Sequence, residues 1–377
     1  MKALIHFEHA LKFDSQSEFA MEYLYYSYIY SGRETEAQLL SKKMSDTLKS
    51  KIKIPKNTIV SGVYAEGGYI ISNNESKNQQ IDFDGIANIF GEADLAKDKY
   101  FFNIGLQHHI GKKLSIYQFY NYMIINQTKI MESLNTIQHL DNYQIFQQEY
   151  YLSAAWYMKN GFKLTPAFHY SNMKSKTESV SFDTVKNNYV ASLSLLKHFS
   201  STNVSLFATY SDFDENLQIQ TGLLLTIYPF SNLKFYSTSG VVSKNEFSKP
   251  ILPETKNKKQ NNTSEMFITS DFVFYELLGV NLYKQSWFEV SATYGNLKNY
   301  NELNAMVIYN TFDNINYKIE TKLFFQLNKQ LRLSLSYQYF DFTGTYSSQN
   351  SFLPEDIQTL KTNYQNHLIT GGIKWNF

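Results

Sequence analysis

The sequence predicts a mainly β fold: a transmembrane, antiparallel, up-and-down β-barrel of about 14 strands (about 12 to 16), preceded by a short α-helical segment. Three observations predict it. They are a C-terminal strand that ends on an aromatic residue, long stretches in which apolar and polar residues alternate, and a high aromatic content. We expect the helical segment in residues 1–57 and the barrel in residues 58–377.

The C-terminal strand has two different faces. Its alternate residues form an apolar, aromatic row: Ile369, Gly371, Ile373, Trp375 and Phe377. The residues between them are small or polar. A period of two with this contrast is typical of a strand that faces lipid on one side and a lumen on the other. We expect this strand to close the barrel by pairing its free edge with the first strand.

The same period recurs along the chain from Thr58. In one example, Val204, Leu206, Ala208 and Tyr210 alternate with mostly polar residues. Short turns are separated by longer polar stretches at 74–98, 129–142, 175–187, 245–263 and 345–363. Short and long connections alternate in this way as periplasmic turns and extracellular loops do. The count reaches about 14 strands if 287–309 is one long strand and 311–316 is an outer loop.

Composition supports a membrane barrel and excludes several other classes. The chain has 30 Tyr, 29 Phe and 3 Trp, so 16% of it is aromatic, and such residues are enriched at both membrane interfaces. No apolar run approaches the ~20 residues that a spanning helix needs. The net charge of +1 gives no sign of a nucleic-acid partner. Because cysteine is absent, disulfides and cysteine-based metal sites are excluded.

The first part of the chain has helical spacing instead. Apolar residues recur there three and four positions apart, which indicates three helices, the third from about Glu34 through Met44. Ala3 and Ala37 are 34 residues apart, the period of tetratricopeptide repeats. The segment resembles about one and a half such repeats at Ala3, Phe7, Ala10, Leu11, Tyr28, Gly32 and Ala37. We expect further repeats and a secretory signal upstream; the alternative is a plain helical hairpin packed under the barrel.

Charged residues near the C-terminus form the main candidate site. Five of them share the face that should point into the lumen: Glu289, Glu320, Lys322, Arg332 and Lys374. At mid-depth a lysine or arginine facing lipid would cost about 2–4 kcal/mol, so we expect these side chains to point inward. They are either a charged wall that orients a substrate or holds a plug, or a ladder of cross-strand ion pairs that stiffens the barrel.

The sequence offers little sign of catalysis. No Ser, His and carboxylate residues are brought together by their spacing, and no phosphate-binding glycine loop opens a helix. His108 and His109 are adjacent in a strand and therefore point to opposite faces. We expect neither an enzyme nor a cofactor or metal site.

A barrel that follows helical repeats resembles two families of Gram-negative outer-membrane proteins: polysaccharide exporters and translocons that carry lipoproteins to the cell surface. The final strand also resembles the signal that such barrels present to their assembly machinery. This architectural resemblance implies a barrel in outer-membrane lipid, with the helices in the periplasm binding a polymer or lipoprotein client for export. The alternatives are a non-transporting anchor of an envelope complex with a plugged lumen, or a diffusion porin. A nucleic-acid partner is not expected.

Overall fold

Helices precede the barrel in the chain, as the change of spacing predicts. A computed structural model describes residues 2–30, 34–52, 59–78, 89–110, 113–133, 136–176, 185–199, 201–213, 216–230, 234–248, 268–283, 286–328, 330–350 and 357–377. Within these ranges the N-terminal helices are α1 (Lys2–Phe13), α2 (Glu18–Tyr30), α3 (Glu34–Ser41) and α4 (Asp46–Ile52).

The N-terminal helices share an apolar core. Its buried members are Met21, Leu24, Tyr25, Tyr28, Ala37, Leu40, Met44, Leu48 and Ile52, with Phe7 and Leu11 packed against them. The prediction of one helix from Glu34 through Met44 is wrong, since α3 ends at Ser41. The Ser45 hydroxyl accepts the Leu48 backbone N–H at 3.1 Å. A serine in this position caps a new helix, so α4 begins separately.

The repeat-like positions are distributed over this helical unit. Phe7, Leu11, Tyr28 and Ala37 belong to or border the core, and Ala10 is half-buried. Gly32 and the side chain of Ala3 lie outside the described residues. The tetratricopeptide assignment stays a prediction.

The strands follow in chain order. They are β1 (Val60–Ser72), β2 (Ile89–Ile110), β3 (Leu114–Ser133), β4 (Thr136–Tyr157), β5 (Phe162–Lys176), β6 (Val185–His198), β7 (Thr202–Asp212), β8 (Asn216–Ile227), β9 (Phe235–Ser248), β10 (Ile268–Tyr283), β11 (Ser286–Tyr294), β12 (Asn301–Glu302), β13 (Val307–Ile308), β14 (Asn314–Gln326), β15 (Leu331–Asn350) and β16 (Ile357–Asn376). A short helix, α5 (Asn74–Asn78), follows β1.

Fourteen of the described strands close into one antiparallel barrel, while β12 and β13 pair only with each other. Neighbours in the chain pair around the ring, β11 pairs with β14, and β16 pairs with β1 from Gly62 opposite Asn376 to Ser72 opposite Asn366. The backbone N–H of Phe377 donates to the Ser61 carbonyl at 3.0 Å. The predicted closed barrel of 14 strands is therefore confirmed.

The barrel has two distinct ends. The inner end carries Val60, Phe377 and the short turns, such as the 3-10 turn Lys159–Gly161. Several large aromatic side chains are exposed close to this end: Trp156, Phe162, Phe199, Phe230, Tyr283, Trp375 and Phe377. They lie where one aromatic girdle of a membrane barrel is expected.

The outward face of the strands is apolar. In β7, Leu206 and Tyr210 are exposed, whereas Thr209 and Ser211 on the opposite face are buried. In β16, Ile369 and Ile373 are exposed, whereas Leu368 and Thr370 on the lumen face are buried. Apolar side chains seldom form such continuous exposed surfaces on soluble proteins. The outward side of the sheet is therefore apolar, while the inward side combines polar residues with buried apolar ones such as Val242, Val273 and Phe340.

Several strands are longer than a membrane requires. β2 and β4 have 22 residues, and β3, β15 and β16 have 20, whereas about 9–11 residues cross a bilayer. The stretches 129–142 and 345–363, predicted as loops, are mostly strand. Both faces of a strand meet water beyond the membrane, so the apolar signal is lost there although pairing continues. The predicted loops 175–187 and 245–263 lie mostly outside the described residues.

Candidate functional site in the barrel lumen

A loop of the chain's own residues occupies the lumen. After β11, residues 295–313 (the lumen loop) turn inward and carry β12 and β13 before the wall resumes with β14. The prediction of one strand over 287–309 and an outer loop over 311–316 is therefore wrong. Gly295 has a φ of +135°, and a Cβ there would lie 2.5 Å from the Phe272 carbonyl oxygen. Only glycine suits this departure from the wall.

The lumen loop crosses the full width of the barrel. It leaves the wall between β11 and β14, and its tip, Asn304 and Ala305, reaches β4, β5 and β6 on the opposite side. The His169 Nδ1 donates to the Ala305 carbonyl at 2.7 Å. The Ser192 hydroxyl donates to Asn304 Oδ1 at 2.6 Å, and the Tyr151 hydroxyl donates to the Asn304 carbonyl at 3.4 Å. The loop therefore bridges opposite walls.

Polar contacts also fix the sides of the lumen loop. Asn301 Nδ2 donates to the Ser211 hydroxyl on β7 at 2.6 Å. On β9, Lys244 Nζ donates to the Lys298 carbonyl at 2.7 Å. Lys244 is fully buried, and the Asp271 carboxylate lies 3.7 Å from its ammonium group. The wall thus supplies an acceptor for a side-chain amide of the loop and a donor for a backbone carbonyl of the loop.

A buried ion pair joins the lumen loop to β14. Lys318 Nζ lies 2.8 and 2.9 Å from the two carboxylate oxygens of Glu302, and both residues are buried. The Tyr309 hydroxyl donates to the same carboxylate at 2.5 Å. Removing one partner of such a pair leaves an uncompensated buried charge. This contact is therefore the strongest single candidate for a latch that holds the loop.

Apolar contacts also hold the lumen loop in place. Leu297 and Ala305 are fully buried, and Met306 packs against the cluster that contains Phe119 and Tyr151. The rings of Tyr300 and Tyr309 are parallel within 2°, with centroids 6.2 Å apart. The loop thus combines apolar contacts in three clusters with many polar ones.

The tip of the loop has an unfavourable backbone. Leu303, Asn304 and Ala305 have φ values of 52°, 60° and 62°, in the left-handed region that non-glycine residues rarely occupy. Each such residue costs of the order of 1 kcal/mol or more and persists only where its surroundings hold it. The hydrogen bonds from Ser192 and His169 to this tip stabilise its backbone conformation.

The lumen loop lies between two cavities. The inner vestibule has a volume of about 270 Å³ and is lined by Gly62, Val63, Tyr64, Gln107, Tyr117, Arg332 and Lys374. The outer cavity, of about 100 Å³, is lined by Met173, Lys186, Phe213, Asn216, Lys298, Asn299, Asn310, Thr311 and Phe312. Residues from the inner and outer ends of the strands line separate spaces, with the loop between them.

The five candidate lumen residues occupy three places. Arg332 and Lys374 are register partners on β15 and β16 and line the inner vestibule. Glu289 and Lys322 are register partners on β11 and β14. Glu320 lies 3.6 Å from the latch residue Lys318. The structure thus brings one pair into a cavity and one carboxylate beside the loop.

The contacts of these residues are mainly with aromatic and amide groups. The Tyr236 hydroxyl donates to Glu289, and Gln338 Nε2 donates to Glu320 at 3.1 Å. Lys322 and Arg332 both lie over the Phe324 ring, at 5.4 and 5.3 Å from its centre. Whether the five form a substrate-orienting wall or a stiffening ladder stays a prediction.

Sequence reasoning missed the lumen loop and its anchors. Residues 295–313 contain six asparagines or glutamates that interrupt the alternation: Asn296, Asn299, Asn301, Glu302, Asn304 and Asn310. This break in period was a usable signal. Lys318 has the same parity as Glu320 and Lys322, so the inward face could have been extended to it. No sequence signal pointed to His169 or Ser192 as anchors.

Two further observations limit the chemistry of the described residues. No three His, Asp or Glu side chains in the described ranges are grouped so that they could hold a metal ion. None of the helices in those ranges is long and apolar enough to cross a membrane.

Comparisons with known proteins bear on the fold. No protein-family description matches the sequence, and no curated protein matches it either. A TodX deltaS2S3 mutant, a monoaromatic hydrocarbon channel, is similar in structure, with a TM-score of 0.51, 6% identity, and coverage of 84% of this chain and 91% of that one. This similarity shows the barrel fold alone.

Two more solved structures are similar over most of their length. The toluene transporter TodX from Pseudomonas putida has a TM-score of 0.46 at 6% identity, covering 85% of this chain and 89% of that one. An anion-selective porin from Comamonas acidovorans has a TM-score of 0.39 at 6% identity, covering 85% and 99%. Neither similarity is close enough to bear on function.

Proposed function

We propose that the protein is a porin-like channel of the outer membrane and that the lumen loop closes it. The observation that carries this proposal is a barrel whose lumen is crossed by a loop of its own chain, with a cavity on either side. Polar side chains on the inward faces, among them Gln218, Gln220 and Thr293, suit water and hydrated solutes. A solute can pass only if the loop moves aside, so the loop is the gate of the channel.

The membrane location is supported by the outer surface of the barrel. Exposed apolar side chains cover the strands, and aromatic side chains gather near the inner end. A closed antiparallel barrel satisfies its own backbone hydrogen bonds, as a membrane requires. We propose that the inner end faces the periplasm, where α1 to α4 would lie, and that β16 carries the assembly signal.

A second candidate is an export conduit for a polymer or lipoprotein client. The observation that favours it is the helical unit with its own apolar core, which a simple diffusion porin does not need. This candidate also requires the lumen loop to leave its place, because the loop bridges opposite walls. In a third, non-transporting alternative the loop stays in place permanently. We propose no catalytic role.

Single-channel conductance in planar bilayers tests the proposal. Residues 297–311 are replaced by a short Gly-Ser linker, which the geometry allows because the Leu297 N–H donates to the Ile315 carbonyl at 2.9 Å, so the loop ends are adjacent. We expect rare openings in the wild type and a stable open conductance in the variant. Heat-dependent gel mobility serves as the folding control.

The contrary result separates the alternatives. A folded variant that stays silent would mean that wall side chains alone close the lumen, which favours the scaffold. Graded polyethylene glycols added to the open variant then measure the pore width. Exclusion of all but the smallest polymers favours a solute channel, and entry of large ones favours the export conduit.

A further inference from the structure

Two cations lie side by side in the inner vestibule. Arg332 on β15 is the register partner of Lys374 on β16, and Lys374 is in turn the register partner of Tyr64 on β1. All three line the same cavity of about 270 Å³. Like charges directly opposite each other destabilise a sheet. The wall therefore carries an electrostatic cost at this point.

The protein gives the Arg332 guanidinium few partners of its own. The Arg332 guanidinium lies over the Phe324 ring, and among the described residues it forms no ion pair. Lys374 Nζ donates to the Gln107 side-chain oxygen at 3.1 Å. On β1, the Glu66 carboxylate accepts the Tyr64 hydroxyl hydrogen bond. At least the guanidinium thus keeps unused donors on the side of the cavity.

We propose that the inner vestibule binds a small oxyanion, the carboxylate or phosphate group of a solute, between Arg332 and Lys374. A guanidinium presents two parallel N–H donors that match two oxygens of such a group. The ammonium of Lys374 adds a second positive charge, and the hydroxyl of Tyr117 lines the same cavity. This inference rests on the proposed channel function and names the class of solute that it takes.

The size of the vestibule limits the ligand. Its volume of about 270 Å³ is close to nine times the roughly 30 Å³ that one water molecule occupies in the liquid. A free phosphate, acetate or a small dicarboxylate fits such a space. The vestibule is therefore a site for a small solute.

Isothermal titration of the full-length protein in detergent at low ionic strength tests the site without requiring an open pore. Sodium phosphate and sodium acetate are titrated separately, which distinguishes the two oxyanion classes. We expect Arg332→Gln to weaken binding about tenfold or more, because it removes hydrogen bonds from a charged group. Lys174→Gln is the matched control: it also removes one positive charge, from an exposed residue at the outer end of β5.

The remaining variants and outcomes make the result decisive. Arg332→Lys should restore part of the affinity, Lys374→Gln should also weaken it, and heat-dependent gel mobility confirms that each variant is folded. Failure of both probes to bind the wild type, or equal affinity in Arg332→Gln and the wild type, would overturn the inference. Binding is measured independently of conductance. If the protein shows no conductance but still binds phosphate or acetate, the proposed channel function is refuted and the oxyanion site is not.

Discussion

The barrel wall and the lumen loop are held in place by different forces. Neighbouring wall strands share long registers, as β2 and β3 do from Phe90 opposite Ser133 to Ile110 opposite Leu114. In the lumen loop, β12 and β13 share only two pairs, Asn301 with Ile308 and Glu302 with Val307. Side chains from many strands provide its other contacts. The comparison teaches that side chains, rather than strand pairing, hold the loop, whereas strand pairing holds the wall.

The two regions also differ in how favourable their backbone conformation and hydrogen bonding are. Closing the wall satisfies its N–H and C=O groups, so opening it in a membrane would expose several of them at high cost. At the loop tip, Leu303, Asn304 and Ala305 keep unfavourable φ values. Releasing the tip relieves that strain and thereby offsets part of the lost contacts. The loop is therefore the weaker of the two regions.

The largest expected effect comes from breaking the latch. Lys318→Met leaves the Glu302 carboxylate buried without its cation, and such losses cost about 3–5 kcal/mol. We expect the open probability in planar bilayers to rise about a hundredfold or more. Lys322→Met is the control, because that lysine shares the inward face of β14 but contacts the Phe324 ring. Equal gating in Lys318→Met and the wild type would show that the ion pair does not hold the loop.

Arginine substitutions at two neighbouring residues of β7 test which face of the wall meets lipid. Leu206 is exposed on the outer face of β7, and Ser205 beside it points inward. Leu206→Arg should destabilise the barrel in lipid by about 2–4 kcal/mol, since the charge faces the bilayer. Ser205→Arg should change the stability little. Denaturant unfolding from liposomes compares the two variants, and similar losses of stability would contradict the assigned faces.

The wall was predictable because its signal is local. Alternation in β7 or β16 can be read from adjacent residues, and closure follows because a barrel leaves no free edge. The lumen loop depends on contacts between distant residues instead. Asn304 and Ser192, for example, are 112 positions apart. Such a pair leaves no periodic trace in a single sequence, so the break in alternation over 295–313 can mark the end of the wall but not the inward path of the loop.

The helical unit and the strand ends beyond the membrane could be predicted from the sequence only in part. Helical spacing predicts α1 and α2, but the predicted third helix extends to Met44 and α4, which Ser45 caps, is not predicted as a separate helix. The sequence predicts loops at the ends of β3 and β4, because water meets both faces of these strand ends. Arg332 and Lys374 could be assigned to one face by parity, whereas the cavity between them required the three-dimensional closure of β16 on β1.

The smallest expected effect concerns one hydrogen bond at the loop tip. Ser192→Ala removes the donor to Asn304 Oδ1, and a single bond of this type contributes about 0.5–1.5 kcal/mol. We expect the open probability to rise a few-fold, to about tenfold at most. Ser336→Ala serves as the control, since its hydroxyl contacts Thr370 at 2.6 Å within the wall. A larger effect in the control would place the weak point in the wall.

The most direct test of the central claim ties the loop to the wall. The chain has no cysteine, so Ser192→Cys and Asn304→Cys together introduce one reactive pair, which dibromobimane cross-links with a gain of fluorescence. The pair is placed in the Lys318→Met background and the single-channel conductance is recorded before and after cross-linking. If the lumen loop is the gate, cross-linking abolishes the openings. Openings of unchanged frequency and size in the cross-linked protein would show that solutes pass without movement of the loop.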